Sequence, residues 1–132
     1  MSSVPGNLRY ARTHEWVRPL SDGTVEIGIS DHAQHALGDL VFVDLPEAGR
    51  EVKAGEAFAV VESVKAASDV HSPIAGTVIA GNTALTAEPE LINHDAYGKG
   101  WMIRIRPAKA ADVDALLSPG DYATLLHEGA DG

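Results

Sequence analysis

The run Phe58-Ala-Val-Val-Glu-Ser-Val-Lys-Ala-Ala-Ser-Asp-Val70 holds the feature that decides the fold, a strand pattern that a lysine interrupts. Its apolar first half predicts a strand, and its second half predicts the return strand of a hairpin. Lys65 lies in the turn, between Val64 and Ala66, so the hairpin presents one amine to solvent. Such a lysine is either an ordinary exposed residue or the attachment point of a covalently bound group.

The size and charge of the chain narrow the class of protein. Its 132 residues fit a single domain that spans residues 1–132. The formal net charge is −9, from 19 acidic and 10 basic residues, so nucleic acid and anionic membrane surfaces would be repelled. The chain has no cysteine, which excludes disulfides, thiolate catalysis and cysteine-based zinc sites.

The N-terminal segment bears on where the protein works. Residues 1–6 lack the basic and apolar regions of a signal peptide. No apolar run approaches the ~20 residues that a membrane span needs. We therefore expect a cytoplasmic protein. Because Met1 lies close to the start of the domain, the bacterial cytoplasm is favoured over the mitochondrial matrix.

Strand patterns dominate the chain and predict an all-β fold. Val25, Ile27 and Ile29 alternate with polar residues or glycine after a Ser-Asp-Gly turn, as in a half-buried strand. Residues 40–45 are apolar on both faces, which is typical of a buried strand. Further strands are predicted at residues 57–61, 77–80 and 101–106, the last with a wet face formed by Met102, Arg104 and Arg106.

Few helices are expected, and all of them are short. Ser30 can cap a helix over residues 31–37, which Gly38 can end. Residues 111–117 have helical spacing, and Pro119 suits the first position of a last helix that runs to His127. The apolar residues of this last helix would pack it onto the strands: Tyr122, Leu125 and Leu126.

Lys65 is the lysine best suited to modification. The other lysines lie in a charged run, between two glycines and shortly after a proline: Lys53, Lys99 and Lys109. A free lysine amine has a pKa of about 10.4, so an enzyme must recognise the surrounding fold and deprotonate the amine before it can react. Because Val64 and Lys65 are poor at positive φ, we expect a type I turn rather than its mirror image.

Several motifs in order along the chain resemble one family. Glu62-Ser-Val-Lys-Ala66, followed by Ser72-Pro-Ile-Ala-Gly76, resembles the lipoyl attachment region of the glycine cleavage system H protein. The likeness continues in residues 13–17, 28–34, 38–46 and 100–105, and covers roughly Leu8 to His127, which would be the core of the domain. It implies a barrel-sandwich hybrid, the fold of lipoyl and biotinyl carriers, with a C-terminal helix.

The resemblance also implies a carrier rather than an enzyme, with lipoate in amide linkage to Lys65. The arm would take an aminomethyl group from glycine decarboxylase (P-protein) to the aminomethyltransferase (T-protein). It would then be reoxidised by dihydrolipoyl dehydrogenase (L-protein). A lipoate ligase or a lipoyl/octanoyl transferase would attach the cofactor. The chain contains no catalytic motif such as a Gly-x-Ser-x-Gly or a phosphate loop, which agrees with a carrier.

By the same resemblance, two sets of residues acquire roles. Glu62, Gly49 and Gly76 would help the ligase to recognise the site, although a solvated carboxylate and two turn glycines would look the same. Thr13, Glu15 and Asp69 would form a docking place for the loaded arm, because its methylamine cation needs an anion in a partly desolvated cleft. Either acid is equally compatible with an inert surface position.

Three alternatives remain at this stage. A biotin carrier would place methionines beside the lysine, whereas Val64 and Ala66 stand there, so lipoate is favoured. A lipoyl or octanoyl donor in a cofactor relay would carry the same arm, and an unmodified β-domain used only for binding would carry none. A metal site is not predicted, since His32 and His35 share a helix face without a complete ligand set, and His14 suits a structural hydrogen bond.

Overall fold

The structure, a computed structural model, describes residues 4–129. This range contains nine strands: β1 (Arg9–Tyr10), β2 (Glu15–Pro19), β3 (Val25–Ile29), β4 (Leu40–Asp44), β5 (Glu51–Val52), β6 (Ala57–Ser63), β7 (Ala67–His71), β8 (Gly76–Gly81) and β9 (Ile103–Pro107). It also contains five short helices: α1 (Asp31–Leu37), α2 (Ala84–Ala87), α3 (Leu91–His94), α4 (Ala111–Asp114) and α5 (Pro119–Gly129).

Two antiparallel sheets make up the fold. One has six strands in the order β1-β2-β3-β9-β8-β5, and the other has three in the order β4-β6-β7. The predicted all-β fold of the barrel-sandwich kind, with a few short helices and one at the C-terminus, is confirmed. The two sheets stay separate, and neither closes into a barrel. No helix in the described part of the chain has the length and apolar content that a membrane crossing requires.

Local signals set the bounds of α1 as predicted. The Ser30 side chain accepts a hydrogen bond from the Ala33 N–H at 3.2 Å, which caps the helix. Gly38 ends it with a φ of 85°, a backbone conformation that side-chain-bearing residues rarely adopt. This helix and the end of β3 form one wall of the site described below.

The core has two parts, and the smaller one attaches the C-terminal helix. Leu8, Tyr10, Trp16 and Tyr122 are fully buried together, with Leu125 and Leu126 of α5 packed around them. Each large aromatic side chain removes roughly 150–250 Å² from water, so this cluster holds α5 firmly against β1 and β2. The predicted packing of the last helix onto strands is confirmed.

Three expectations about single elements are wrong. Residues 40–45 do not form a buried strand, because β4 lies at the edge of its sheet with a bulge, and Val41 and Phe42 are 57% and 47% exposed. Met102 is buried rather than exposed to solvent. It lies before β9, so it does not take part in the alternation of that strand. The helix at residues 111–117 stops at Asp114, because the Leu117 backbone pairs with Tyr10 instead.

Candidate functional site

The turn that carries Lys65 is held by hydrogen bonds of its own. Ser63 Oγ accepts from the N–H groups of Lys65 and Ala66, each at 3.1 Å, and the Ser63 N–H donates to the Ala66 carbonyl at 2.8 Å. Among the described non-glycine residues only His14 has a positive φ, so the mirror-image turn is absent here, as predicted. The Lys65 side chain is exposed at the tip of a fixed turn.

The tip of the hairpin also rests on the segment that follows α1. The Val64 N–H donates to the Asp39 carbonyl at 3.1 Å. The Lys65 side chain lies across Gly38, because a Cβ built on that glycine would come within 3.3 Å of the lysine Cε. The lysine is thus presented by two elements, the hairpin and the C-terminal end of α1.

Asn93 of α3 holds that segment in place, a role that the sequence did not suggest. Its Nδ2 donates to the Gly38 carbonyl at 2.9 Å and to Gln34 Oε1 at 3.0 Å. Its Oδ1 accepts from the Leu40 N–H at 2.9 Å. One side-chain amide therefore ties the end of α1 to the start of β4, directly beneath the tip.

The three predicted recognition residues lie in different surroundings. Glu62 is exposed on β6, three residues before Lys65 and paired across the strands with Phe42 and Ala67. Gly49 is exposed with a φ of 95°, and its N–H donates to the Val78 carbonyl at 2.7 Å. Gly76 is buried in β8, where a Cβ would lie 2.3 Å from the Arg106 carbonyl oxygen. Both glycines thus have a backbone reason to be glycine.

The three predicted docking residues line one cleft of about 260 Å³. Thr13 and Glu15 enter it from the start of β2, and Asp69 stands exposed on β7. The cleft lies where the two sheets meet, with α1 along its side. Apolar side chains complete the lining: Ile29, Ala33, Ala36, Leu37, Val61 and Val70.

Glu15 is a buried acid whose charge lacks a lysine or arginine partner. Only 3% of the residue is exposed, and within residues 4–129 the ion pairs of lysine and arginine involve neither Glu15 nor Asp69. The Thr13 hydroxyl donates to its Oε1, and the His71 N–H donates to its Oε2 at 3.4 Å. Burial raises the pKa of Glu15, and these two hydrogen bonds act against that rise. A cation entering the cleft would stabilise the ionised form.

His14 makes the structural hydrogen bond that its position suggested, but its partner was not foreseen. Its Nδ1 lies 2.8 Å from the Tyr122 hydroxyl, 108 residues further along the chain. Its ring also faces His32, at a centroid distance of 4.6 Å. Burial, and then the neighbouring His32, lower the pKa of His14. Within the described residues, no group of three or more metal-ligating side chains comes together.

The chain is similar in sequence to proteins of one family. A family model described as "Glycine cleavage H-protein" matches residues 8–129. The chain is 57% identical over 126 residues to the glycine cleavage system H protein of Halorhodospira halophila, covering 96% of this chain and 97% of that one. It is 56% identical over 124 residues to that of Azoarcus sp. strain BH72, covering 94% and 97%.

The fold also resembles that of a solved member of this family. The crystal structure of a glycine cleavage system H protein from Mycobacterium marinum matches with a TM-score of 0.83 and 39% identity, over 96% of this chain and 99% of that one. These matches favour a carrier in glycine cleavage over a cofactor relay. The chain therefore belongs to the glycine cleavage H-protein family and has that family's carrier role in the glycine cleavage system.

Proposed function

We propose that Lys65 carries lipoate in amide linkage to its Nζ, and that the chain acts as one carrier domain serving as shared substrate of three enzymes. When bound, the lipoyl group would supply a disulfide that is reduced as it accepts the aminomethyl group, and the dithiol left after that group is passed on would be reoxidised to the disulfide. The observation that carries this proposal is one of position. Lys65 stands at the exposed tip of the hairpin whose strands, β6 and β7, also wall the cleft that holds Glu15.

The task of the turn is to present one amine in one geometry. The hydrogen bonds of Ser63 restrict the turn, and the Val64–Asp39 bond anchors it to the body of the protein. A lipoate ligase or a lipoyl/octanoyl transferase would recognise the restrained turn through Glu62. Gly49 and Gly76 would allow the backbone conformation that surrounds it. A preorganised frame lowers the entropy that the modifying enzyme loses on binding.

The task of the cleft is to hold the loaded arm. The methylamine of the aminomethyl group is a cation, and Glu15 and Asp69 are anions without a lysine or arginine partner in the described range. Thr13 donates to Glu15 and keeps its own oxygen as an acceptor for the cation. Because the arm must leave at each enzyme, we expect modest docking, on the order of 1–3 kcal/mol for a charge-assisted contact.

The partners follow from family membership and from charge. The enzymes of the system are glycine decarboxylase, the aminomethyltransferase and dihydrolipoyl dehydrogenase. The curated relatives quoted above are bacterial, which supports the bacterial cytoplasm as the place of work. A net charge of −9 disfavours nucleic acid as a partner and suits enzymes with basic docking surfaces.

The test of attachment is mass spectrometry on protein made in a host that supplies lipoate and its ligase. We expect one lipoyl group per chain, and peptide mapping should place it on Lys65. Lys65→Arg should abolish the modification and leave the fold intact, because an exposed turn residue contributes little to stability. Lys53→Arg is the matched control and should be modified normally. An adduct on Lys53, Lys99 or Lys109 would refute the proposal.

A further inference from the structure

His14 has an unusual backbone conformation at the mouth of the cleft. Its φ of 76° is the only positive value among the described non-glycine residues. His14 lines the cleft together with its two neighbours in the chain, Thr13 and Glu15, at the start of β2. The left-handed conformation thus sets the direction in which both side chains point. A residue with a side chain keeps such a conformation only where its surroundings hold it there.

The His14 backbone is held on both sides. Its N–H donates to the Ala11 carbonyl at 3.0 Å, and its carbonyl accepts from the Ser30 N–H at 2.8 Å. These bonds restrain the peptide units on either side of His14 but do not involve the ring. The ring faces His32, and its hydrogen-bond partner is the Tyr122 hydroxyl of the C-terminal helix.

The Tyr122 hydroxyl bridges two walls of the cleft. It lies 2.8 Å from His14 Nδ1 and 2.6 Å from Ser30 Oγ, the side chain that caps α1. With His14 neutral and its proton on Nε2, Tyr122 donates to Nδ1 while Ser30 donates to Tyr122. A single buried oxygen thus connects the start of β2 with the start of α1.

Tyr122 itself does not line the cleft. Its side chain is fully buried and stacks on the ring of Tyr10, with the ring centroids 4.4 Å apart and the planes parallel within 1°. The residue reaches the cleft only through the ring of His14 and the cap of α1. Whatever it does for a docked arm it does by placing other residues.

We infer that Tyr122 is a positioning residue of the cleft, which holds His14 in its left-handed conformation and so aims Thr13 and Glu15 at the arm. The C-terminal helix is thereby part of the docking apparatus rather than only a cover for β1 and β2. The inference rests on the proposed docking role of Glu15. It assigns a function to the contact between two residues 108 positions apart.

Tyr122→Phe tests this, because it removes one hydroxyl and keeps the stacked ring. In lipoylated protein loaded with the aminomethyl group, we expect spontaneous loss of that group to quicken about fivefold, the factor that one net hydrogen bond corresponds to. The matched control is Tyr10→Phe. Tyr10 is the buried partner in the same stack, and its hydroxyl donates to the Pro5 carbonyl at 2.7 Å, away from the cleft. This control should release at the wild-type rate.

A second background shows whether Tyr122 acts through His14. Asparagine tolerates the left-handed conformation better than most residues do, so His14→Asn keeps the backbone without the ring. If Tyr122 works through that ring, Tyr122→Phe should add nothing in the His14→Asn background. A further rise of the release rate in the double mutant would overturn the inference.

Failure of the docking proposal is distinguishable from failure of this inference. If Glu15→Gln quickens release but Tyr122→Phe behaves like Tyr10→Phe, the inference is wrong and docking stands. If Glu15→Gln leaves release unchanged, the docking proposal is wrong, and amide NMR of the unmodified protein still decides the positioning role. Tyr122→Phe should then shift the resonances of residues 13–15 and Tyr10→Phe should not; equal shifts would overturn the inference.

Discussion

Glu15 and Asp69 are both carboxylates in one cleft, but Glu15 is buried and Asp69 is exposed. Glu15 is buried, and its remaining hydrogen-bonding partners are the Thr13 hydroxyl and the His71 N–H. A buried charge without an ionic partner is costly, so a cation that reaches Glu15 gains more than one at the surface. Asp69 is exposed and is screened by water. We therefore expect Glu15 to contribute most of the proposed docking strength.

Removal of both charges should release the arm. In the double variant Glu15→Gln with Asp69→Asn, we expect spontaneous loss of the aminomethyl group to rise by about tenfold, because about 1.4 kcal/mol, which lies within the docking range proposed above, corresponds to a factor of ten. Of the two single variants, Glu15→Gln should account for most of the change. Release is followed by mass spectrometry of the loaded protein. A double variant that matches the wild-type rate would show that the arm docks elsewhere.

The raised pKa of Glu15 makes stability depend on pH in a defined direction. Because burial raises this pKa above its ordinary value of 4.5, the folded state holds the proton more tightly than the unfolded state does. The contribution of Glu15 to stability is thus fully present below about pH 4.5 and is lost as the pH rises through the folded-state pKa. Thr13 and His71 reduce this loss without reversing it.

Urea unfolding of wild type and Glu15→Gln, from about pH 4 to about pH 7, measures this effect. The stability of wild type relative to Glu15→Gln should fall as the pH rises and then level off. The lowered pKa of His14 destabilises the fold as the pH drops below 6.5, but it acts in both proteins and cancels in the difference. Parallel stability curves would contradict the assignment of a buried, titrating Glu15.

At the scale of elements, the hairpin that carries Lys65 is supported by α3, a helix that lies far from the lysine along the chain. Asn93 of α3 binds Gly38 and Leu40, and the Asp39 carbonyl between them accepts from the residue before Lys65. This chain of hydrogen bonds passes from α3 through the end of α1 to the turn. We therefore expect substitutions in α3 to change the rate at which a modifying enzyme acts on the turn.

Asn93→Ala should therefore lower both stability and the rate of lipoylation. The loss of stability should be about 1–3 kcal/mol, the usual cost of leaving buried polar groups unsatisfied. Asn82→Ala is the matched control. Its Nδ2 also makes two hydrogen bonds, here to the backbone carbonyls of Lys99 and Trp101, both at 2.8 Å, at a place remote from the hairpin in the chain.

Lipoylation kinetics of the two folded variants show whether Asn93 positions the turn or only contributes to the stability of the fold. The two should lose comparable stability in urea, but only Asn93→Ala should be modified several-fold more slowly, the factor that about 1 kcal/mol corresponds to. Equal rates for Asn93→Ala and Asn82→Ala would mean that α3 supports the fold alone.

The elements that the sequence predicted are those with local signals. α1 begins at its cap and ends at its glycine, and α5 begins at Pro119, because these residues act through their own backbone. α2 and α3 were missed, since a four-residue helix has no periodicity to detect. The exposure of β4 was misjudged because an edge position is set by sheet pairing and not by the apolar run itself.

The candidate site was predicted unevenly for a similar reason. Lys65 follows from its hairpin context, but Glu15 and Asp69 came together in the prediction only through family resemblance. The Tyr122–His14 contact spans 108 residues and has no local signal. The sequence allows Gly76 to be a turn glycine. The structure instead places it in β8 without a positive φ, and its reason to be glycine is the clash between any Cβ and the Arg106 carbonyl.

At the scale of the whole molecule, the cleft is a consequence of having two unclosed sheets. Glu15 and Ile29 belong to the six-stranded sheet, and Val61 and Asp69 to the three-stranded one, so the proposed docking place lies in the seam between the two sheets. The hairpin that carries Lys65 forms one side of that seam. An arm attached to the tip of this hairpin would thus be tethered next to its proposed docking place, and tethering would raise the effective concentration of the arm there.

The net charge of −9 should act on the encounter with partner enzymes rather than on the chemistry. A strongly acidic carrier is steered toward basic surfaces, and salt screens this attraction over about 10 Å at 0.1 M. We expect the KM of glycine decarboxylase for this carrier to rise several-fold between about 0.02 and about 0.3 M salt, with a smaller change in kcat.

Two exposed glutamates show whether the attraction acts on the whole molecule or near the lysine. Glu62 lies three residues from Lys65, whereas Glu51 is on β5 in the other sheet. If docking is directed at the hairpin, Glu62→Gln should raise the KM and flatten its salt dependence more than Glu51→Gln does. Equal effects would mean that steering follows the total charge, and a KM that does not respond to salt would mean that charge has no part in the encounter.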